Sequence, residues 1–216
     1  EIRLSLVGSE MCIRDREQIR EYLEHHTVSS SLSMLEDEKE AITKQMQHLQ
    51  KLQKNVEHRL SNIHSAFSLP LDEIHLMTLP PRHCHRLFER YKHEEEMDFL
   101  MKQLINLNQN RLYIIGSNQM GTMISLPSLL KKKTLSYQSV FLIDEEGADL
   151  IDGGDYLCVT YRGNYEQSAY WGQQLAQYAH AHKFKIRGDL LEILWIDIHT
   201  TSDESEYITQ LQLPIA

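Results

Sequence analysis

A regular heptad of apolar residues between positions 35 and 63 constrains the fold more than any other feature of this chain. Leucine, isoleucine or valine recurs at strict seven-residue intervals, at Leu35, Ile42, Leu49, Val56 and Ile63. A second apolar row follows three or four positions later, although glutamines interrupt it. This spacing is typical of helices that supercoil with a partner. We therefore predict a helix from about residue 30 to 67, roughly 55 Å long.

The predicted helix has two structural interpretations. Its remaining faces are polar and it is too long to fold alone within a small domain, which favours a dimeric coiled coil whose seam contains the five heptad residues. The alternative is a helix that packs along its own domain. In both cases Pro70 ends the helix, because proline cannot continue the hydrogen-bond pattern.

The chain divides into three segments by composition. Residues 1–16 mix glycine, cysteine and scattered charges without a sustained period, and they resemble translated sequencing-adapter DNA. We expect this segment to be non-native, with a short native β-strand as the alternative. Residues 17–69 are predicted to form a linker and the coiled-coil helix, and residues 70–216 a separate domain.

The order of elements after residue 70 repeats. The first half is predicted to contain a strand at 74–78 that extends towards residue 87, a helix at 97–107, and strands at 121–126 and 137–143. The second half is predicted to contain a strand at 156–161, a helix at 165–179, and strands at 190–198 and 207–213. The order strand–helix–strand–strand therefore occurs twice. This repetition predicts a duplicated α+β domain with a pseudo-two-fold axis.

Charge and composition exclude several classes of function. The formal net charge of −9 makes the chain as given a poor binder of nucleic acid, whose affinity comes mainly from lysine and arginine. Three cysteines without a paired spacing indicate reduced thiols. No apolar run reaches the roughly 20 residues that cross a bilayer. We expect a cytoplasmic protein that needs no membrane.

The strand at 189–198 carries a carboxylate in an apolar row. Alternation places Glu192 on the same face as Leu190 and Leu194. A carboxylate on such a face is costly unless a partner or ligand compensates its charge. A Glu at a solvated sheet edge is the alternative interpretation.

Aromatic residues concentrate in the same half of the chain. Rings around one buried acid suit a lipophilic cation, because they provide apolar area and cation–π attraction. The predicted ligand-binding residues are Glu192, Tyr156, Tyr161, Tyr165, Tyr170 and Trp195. We predict no catalytic residues, no cofactor and no metal site, since no nucleotide-binding or nucleophile motif occurs and His83 and His85 lack a second ligand pair.

Several motifs together resemble one family over residues 17–216. Gly154-Asp-Tyr156, Gly163-Asn-Tyr165, Glu192 followed by Asp197, and the closing segment from Thr209 to Ile215 resemble the gyrase-inhibitor-like (GyrI-like) effector-binding domain of MerR-family, multidrug-sensing transcription regulators. Gln210 and Leu194 depart from the family pattern, at positions where an acid and a tyrosine are common.

The resemblance implies a ligand-sensing regulator that is not an enzyme. Its partners would be a small, lipophilic and cationic effector and a second copy of the chain. Promoter DNA and RNA polymerase would be partners of the intact protein only, and the resemblance implies that the N-terminal DNA-binding domain is missing from this chain. The alternatives are a stand-alone GyrI-like binding or gyrase-inhibitor protein, which would lack the heptad helix, and a GyrI-like hydrolase.

Overall fold

The computed structural model describes residues 27–91, 94–107, 119–131 and 135–216. The chain separates into two compact units, Glu1–Gln53 and Lys54–Ala216, and the boundary falls within one continuous helix. The predicted domain at 70–216 belongs to the second unit. The predicted non-native segment at 1–16 and the start of the predicted linker lie outside the described residues.

Helix α1 spans Val28–Ser68, slightly beyond both predicted ends. Its start is fixed by a reciprocal capping pair. The Ser30 backbone N–H donates to Thr27 Oγ1 at 3.1 Å, and the Thr27 backbone N–H donates to Ser30 Oγ at 2.8 Å. These bonds satisfy amide groups that a helix start otherwise leaves without partners. The predicted long helix is therefore confirmed, whereas its coiled-coil pairing stays a prediction.

The last turns of α1 belong to the second unit and pack on its domain. Ala66 is fully buried against Ile196 and Ile208, and Arg59 Nη2 donates to the His199 carbonyl oxygen at 3.1 Å. Ile63 lies on this same helix face and is half-buried. Arg59 and Ala66, which lie four residues before and three residues after Ile63, both contact the domain. Ile63 therefore lies on the side of α1 that faces the domain, and its place in a dimer seam stays a prediction.

The remaining elements follow in chain order. The strands are β1 His75–Leu79, β2 Arg82–Leu87, β3 Met120–Ile124, β4 Tyr137–Ile143, β5 Asp149–Ile151, β6 Gly154–Arg162, β7 Leu190–Ile196 and β8 Ile208–Pro214. The helices are α2 Glu94–Leu107, α3 Leu126–Leu130 and α4 Gln167–Ala181, with a short 3₁₀ turn at Glu204–Glu206. All eight strands form one antiparallel sheet in the order β1-β6-β8-β7-β3-β4-β2-β5.

The sheet contains the predicted repeat. The two repeats are β2-α2-β3-β4 and β6-α4-β7-β8. In each repeat the last strand lies between the other two strands, so the sheet centre has the order β6-β8-β7 followed by β3-β4-β2. The two halves meet where β7 pairs antiparallel with β3. This arrangement agrees with the predicted α+β class and with a pseudo-two-fold axis between β3 and β7.

Three local features differ from the sequence prediction. The strand predicted to extend from 74 towards 87 is divided at Pro80-Pro81 into β1 and β2, since proline has no N–H to donate to a ladder. The short edge strand β5 was not predicted. A single helical turn, α3, follows β3, with Pro127 in its first turn, where proline is tolerated.

The two faces of the sheet carry separate apolar clusters. On one face, α2 and α4 pack through residues such as Leu100 and Leu175. The opposite face holds a smaller cluster that includes Phe141 and the free thiols Cys84 and Cys158. Burial raises the pKa of Cys158 to about 12, so this thiol stays protonated and unreactive at neutral pH. Within the described ranges, no helix is long and apolar enough to cross a membrane.

Candidate functional site

Glu192 lies at the centre of the sheet and is almost completely buried, with 1% of its surface exposed. It occupies the middle of β7, directly opposite Thr122 of β3. Its neighbours in alternation, Leu190 and Leu194, belong to the apolar cluster under α2 and α4, whereas Leu191 faces the other side. The predicted position of this carboxylate in an apolar row is therefore the observed one.

Hydroxyl groups from three different elements surround the carboxylate. Thr122 Oγ1 donates to Glu192 Oε2 at 2.8 Å, and Ser168 Oγ, in the first turn of α4, donates to Glu192 Oε1. The Tyr161 hydroxyl of β6 lies 2.5 Å from Ser168 Oγ and continues the chain of hydrogen bonds. All three partners are fully buried. These bonds offset part of the cost of taking a carboxylate out of water.

Two further tyrosines bring hydroxyl groups without a hydrogen-bond partner. The Tyr91 and Tyr165 hydroxyls are buried, and neither forms a hydrogen bond of normal geometry with a described atom, although the Thr122 side chain lies close enough to Tyr91 to lower its pKa slightly. Burial is the main cause that raises the pKa of both phenols, and the negative charge of Glu192 raises it further. Each phenol therefore stays neutral and remains a donor near Glu192. A buried donor of this kind is costly in the unliganded protein.

Stacking fixes the rings of these two tyrosines. Tyr91 stacks on Tyr137 with centroids 4.7 Å apart and planes inclined by 5°. Tyr165 stacks on Tyr207 with centroids 5.4 Å apart. Asp197, the acid that follows Glu192 in the sequence motif, is held in a turn by accepting from the His199 backbone N–H at 3.0 Å, and its charge also acts on Tyr165.

The unpartnered hydroxyls predict an unusual response to mutation. Tyr91→Phe and Tyr165→Phe each remove a buried hydroxyl that forms no hydrogen bond of normal geometry, so the free energy of unfolding should stay constant or rise by up to about 1 kcal/mol. The matched change Tyr161→Phe removes a satisfied hydroxyl and should lower it by about 1 kcal/mol. Urea denaturation of the three variants measures these differences. A clear loss of stability in Tyr91→Phe would show that its hydroxyl is bonded in the folded protein.

The structure brings three of the six predicted ligand-binding residues together. Tyr161 and Tyr165 lie with Glu192 on the helix-covered face. Tyr156 and Trp195 lie on the opposite face of the sheet. Successive residues of a strand face opposite sides, and Tyr156 is five residues from Tyr161 in β6, while Trp195 is three residues from Glu192 in β7. Tyr170 is 58% exposed on α4 and contacts Trp171 edge-on. Tyr156, Tyr170 and Trp195 therefore lie away from the Glu192 cluster in this structure, and their part in ligand binding stays a prediction.

Sequence reasoning missed Thr122, Ser168 and Tyr91. Thr122 meets Glu192 only through the pairing of β3 with β7, which connects residues 70 positions apart. Ser168 had a local signal, since it lies three residues after Tyr165 on the buried stripe of α4. Tyr91 lies in the segment between β2 and α2, and it is held by a bridge to Tyr137.

Among the described residues, no group of three or more histidine, cysteine or acidic side chains forms a possible metal site. The Glu192 cluster instead has one carboxylate, neutral hydroxyl donors and aromatic rings. This composition suits an organic ligand that carries a positive charge and apolar surface.

No family model matches the sequence, and no curated protein matches it. Solved structures do match. EcmrR, in a cryo-EM structure of its complex with DNA in EcmrR-RPo, is 14% identical, with a TM-score of 0.55 over 92% of this chain and 81% of that chain. The crystal structure of the EcmrR C-terminal domain is 14% identical and covers 67% of this chain and 97% of that chain, with a TM-score of 0.49.

A third solved structure is SAV2435 bound to tetraphenylphosphonium. It is 15% identical and covers 67% of this chain and 94% of that chain, with a TM-score of 0.44. Only the first of the three similarities is strong enough to show a shared fold.

Proposed function

We propose that residues 70–216 form the effector-binding domain of a MerR-type, ligand-sensing transcription regulator. The proposed effector is a small lipophilic cation, held by Glu192 among tyrosine rings. One observation carries the proposal: a carboxylate with 1% exposure lies at the centre of the sheet, near the buried hydroxyls of Tyr91 and Tyr165, neither of which forms a hydrogen bond of normal geometry with a described atom.

The Glu192 carboxylate accepts its hydrogen bonds from uncharged groups. Thr122 and Ser168 are neutral donors, so their hydrogen bonds orient Glu192 without cancelling its formal charge. At a partly buried site, opposite charges about 4 Å apart attract by about 4 kcal/mol at an effective dielectric constant near 20. A ligand cation placed over the tyrosine rings would receive this attraction together with the cation–π contribution of the ring faces.

Ligand entry requires side chains to move, because the carboxylate is sealed in this structure. We assign this movement to Tyr91 and Tyr165, whose rings would then separate from Tyr137 and Tyr207. Both lie outside the regular elements, Tyr91 between β2 and α2 and Tyr165 between β6 and α4. Gly163, two residues before Tyr165, has a φ of +112°, a conformation that favours glycine. Displacing the two rings would give their hydroxyls new partners on the ligand or in water.

The proposed role is binding without catalysis. Both Glu192 oxygens already accept hydrogen bonds, and no nucleophile motif occurs in the sequence. The long helix α1 favours a regulator over a stand-alone binding protein, and the fold shared with EcmrR, a protein seen bound to DNA, supports the same choice. We propose that the protein is a cytoplasmic homodimer and that promoter DNA and RNA polymerase are partners of the intact protein.

The charge preference of the pocket tests the function directly. Tetraphenylphosphonium and tetraphenylborate have nearly the same size and shape and opposite charges. Isothermal titration should give at least about tenfold tighter binding of the cation, since reversing the ligand charge turns attraction to Glu192 into repulsion. Equal affinities, or tighter binding of the borate, would contradict the proposed effector class.

A further inference from the structure

A pair of arginines converges on Tyr156, on the side of the sheet opposite Glu192. Arg82, at the start of β2, lies over the Tyr156 ring with its guanidinium carbon 5.9 Å from the ring centroid. Arg187, in the segment before β7, is fixed by its backbone N–H, which donates to the Pro214 carbonyl oxygen at 3.0 Å. Tyr156 and Pro214 are direct partners in the pairing of β6 with β8. Strands β2, β6 and β8 and the segment before β7 therefore meet beside Tyr156.

Each guanidinium is held in place by a neutral acceptor. Arg82 Nη2 donates to the Gln212 side-chain oxygen at 2.8 Å, and Gln212 in turn donates to Gln210 at 2.7 Å. Arg187 Nε donates to the Ile215 carbonyl oxygen at 2.6 Å. These contacts use one nitrogen of each guanidinium and orient the group without neutralising its charge.

Arg82 also hydrogen-bonds the Tyr156 side chain, and further donors on both guanidinium groups have no partner among the described residues. The Arg82 Nε is buried and has no hydrogen-bond partner among the described residues. Among the described residues, neither Arg82 nor Arg187 forms an ion pair. Asp152 is the acid near Tyr156, but its negative charge acts on the phenol less than either arginine does. Burial lowers the pKa of Arg82, as expected for a cation that lacks a close counter-ion.

The close approach of Arg187 to β6 requires glycine at position 154. Gly154 begins β6 with a φ of +140°, and a Cβ atom at this position would lie 2.5 Å from Arg187 Nη2. Any other residue at 154 would be strained and would also displace the guanidinium. Glycine thus allows Arg187 to approach the β6 backbone beside Tyr156.

We propose that Arg82, Arg187 and the Tyr156 edge form a second ligand site, separate from the Glu192 site, which binds the oxyanion group of a small molecule, a carboxylate or a phosphate. Guanidinium groups match the geometry of such anions because their N–H donors form a fixed fork. The local charge is opposite to that of the whole chain, whose net charge is −9. It is also opposite to the charge at Glu192, so the two faces of the sheet select ligands of opposite sign.

Titration of the full chain with sodium phosphate and with sodium benzoate tests this site. Sodium chloride at the same ionic strength serves as the reference, and both isothermal titration and the shift in melting temperature are read. We expect saturable binding of at least one anion, and the stronger of the two identifies the oxyanion class. Arg187→Gln should weaken that binding by about tenfold, corresponding to the loss of one charge-assisted contact.

Arg162→Gln is the matched control. Arg162 lies on β6, the strand of Tyr156, but six residues further along it. Like Arg82, it has its guanidinium carbon 5.9 Å from the centroid of an aromatic ring, in this case that of Phe67. The control should bind the anion as the parent does. Arg82→Gln should weaken binding as Arg187→Gln does, and if Arg82→Gln does not fold, the exposed Arg187 decides the result alone. Absence of saturable binding in the parent, or unchanged binding in Arg187→Gln, would overturn the proposal.

Discussion

Glu192→Gln is expected to lower the affinity for tetraphenylphosphonium by about ten- to a hundredfold. The substitution keeps the shape of the side chain and removes its charge. The lost attraction corresponds to about 1–3 kcal/mol, the range for removing the charged partner of a buried group. Fluorescence or calorimetric titration of parent and variant with the cation measures the change. Affinity of the parent should also fall at a pH low enough to protonate the carboxyl group.

Stability should respond in the opposite direction. Without ligand, Glu192→Gln removes a buried charge, so the free energy of unfolding should stay the same or increase. The glutamine retains an acceptor for Thr122, and its amide group can donate to Ser168 while that hydroxyl rotates towards Tyr161. Urea denaturation separates this effect from the effect on binding.

Glu166→Gln provides the matched control for the loss of one negative charge. Glu166 is exposed and lies at the start of α4, two residues from Ser168. Its replacement should leave the affinity for tetraphenylphosphonium nearly unchanged, because exposed charges are screened by water and salt. If both variants bind the cation as tightly as the parent does, Glu192 is not the group that recognises charge.

The fold was largely accessible from the sequence because its signals are periodic. Seven-residue spacing predicted α1 within two residues of its observed start at Val28, and β4 was predicted with its observed bounds. The short β5 was missed because three residues contain too little alternation to be recognised. The division between β1 and β2 had a signal in Pro80-Pro81 that the prediction did not use.

The site was harder to predict from the sequence than the fold. It depends on which strands pair and on which side of the sheet each strand residue faces. Alternation identified the direction of Glu192 correctly, since one strand suffices for that inference. The same rule separates Tyr156 from Tyr161, which are five residues apart in β6 and face opposite sides of the sheet. Thr122 could not be found from sequence, because no local pattern reports which residue of β3 faces Glu192.

The double substitution Leu49→Lys and Val56→Lys is expected to convert a dimer into a monomer. Leu35, Ile42, Leu49 and Val56 form a row on α1, and each exposes about half of its side chain. A continuous apolar row of this kind indicates an interaction surface. Its seven-residue repeat matches a second helix with the same repeat, so we propose another copy of this chain as the partner. Burying two lysines in that seam would cost more than the seam gains.

Sedimentation at micromolar concentration should give about twice 25.3 kDa for the parent and the single mass for the double variant. Gln47→Lys with Gln50→Lys is the matched control, since both residues are exposed positions of α1 outside the heptad row. This pair adds the same charge and should remain dimeric. Ile63→Lys should instead reduce the stability of the second unit, because Ile63 is half-buried and lines the same small cavity as Trp195. A parent that sediments as a monomer would refute the heptad interface while leaving the Glu192 and Arg187 sites to be tested separately.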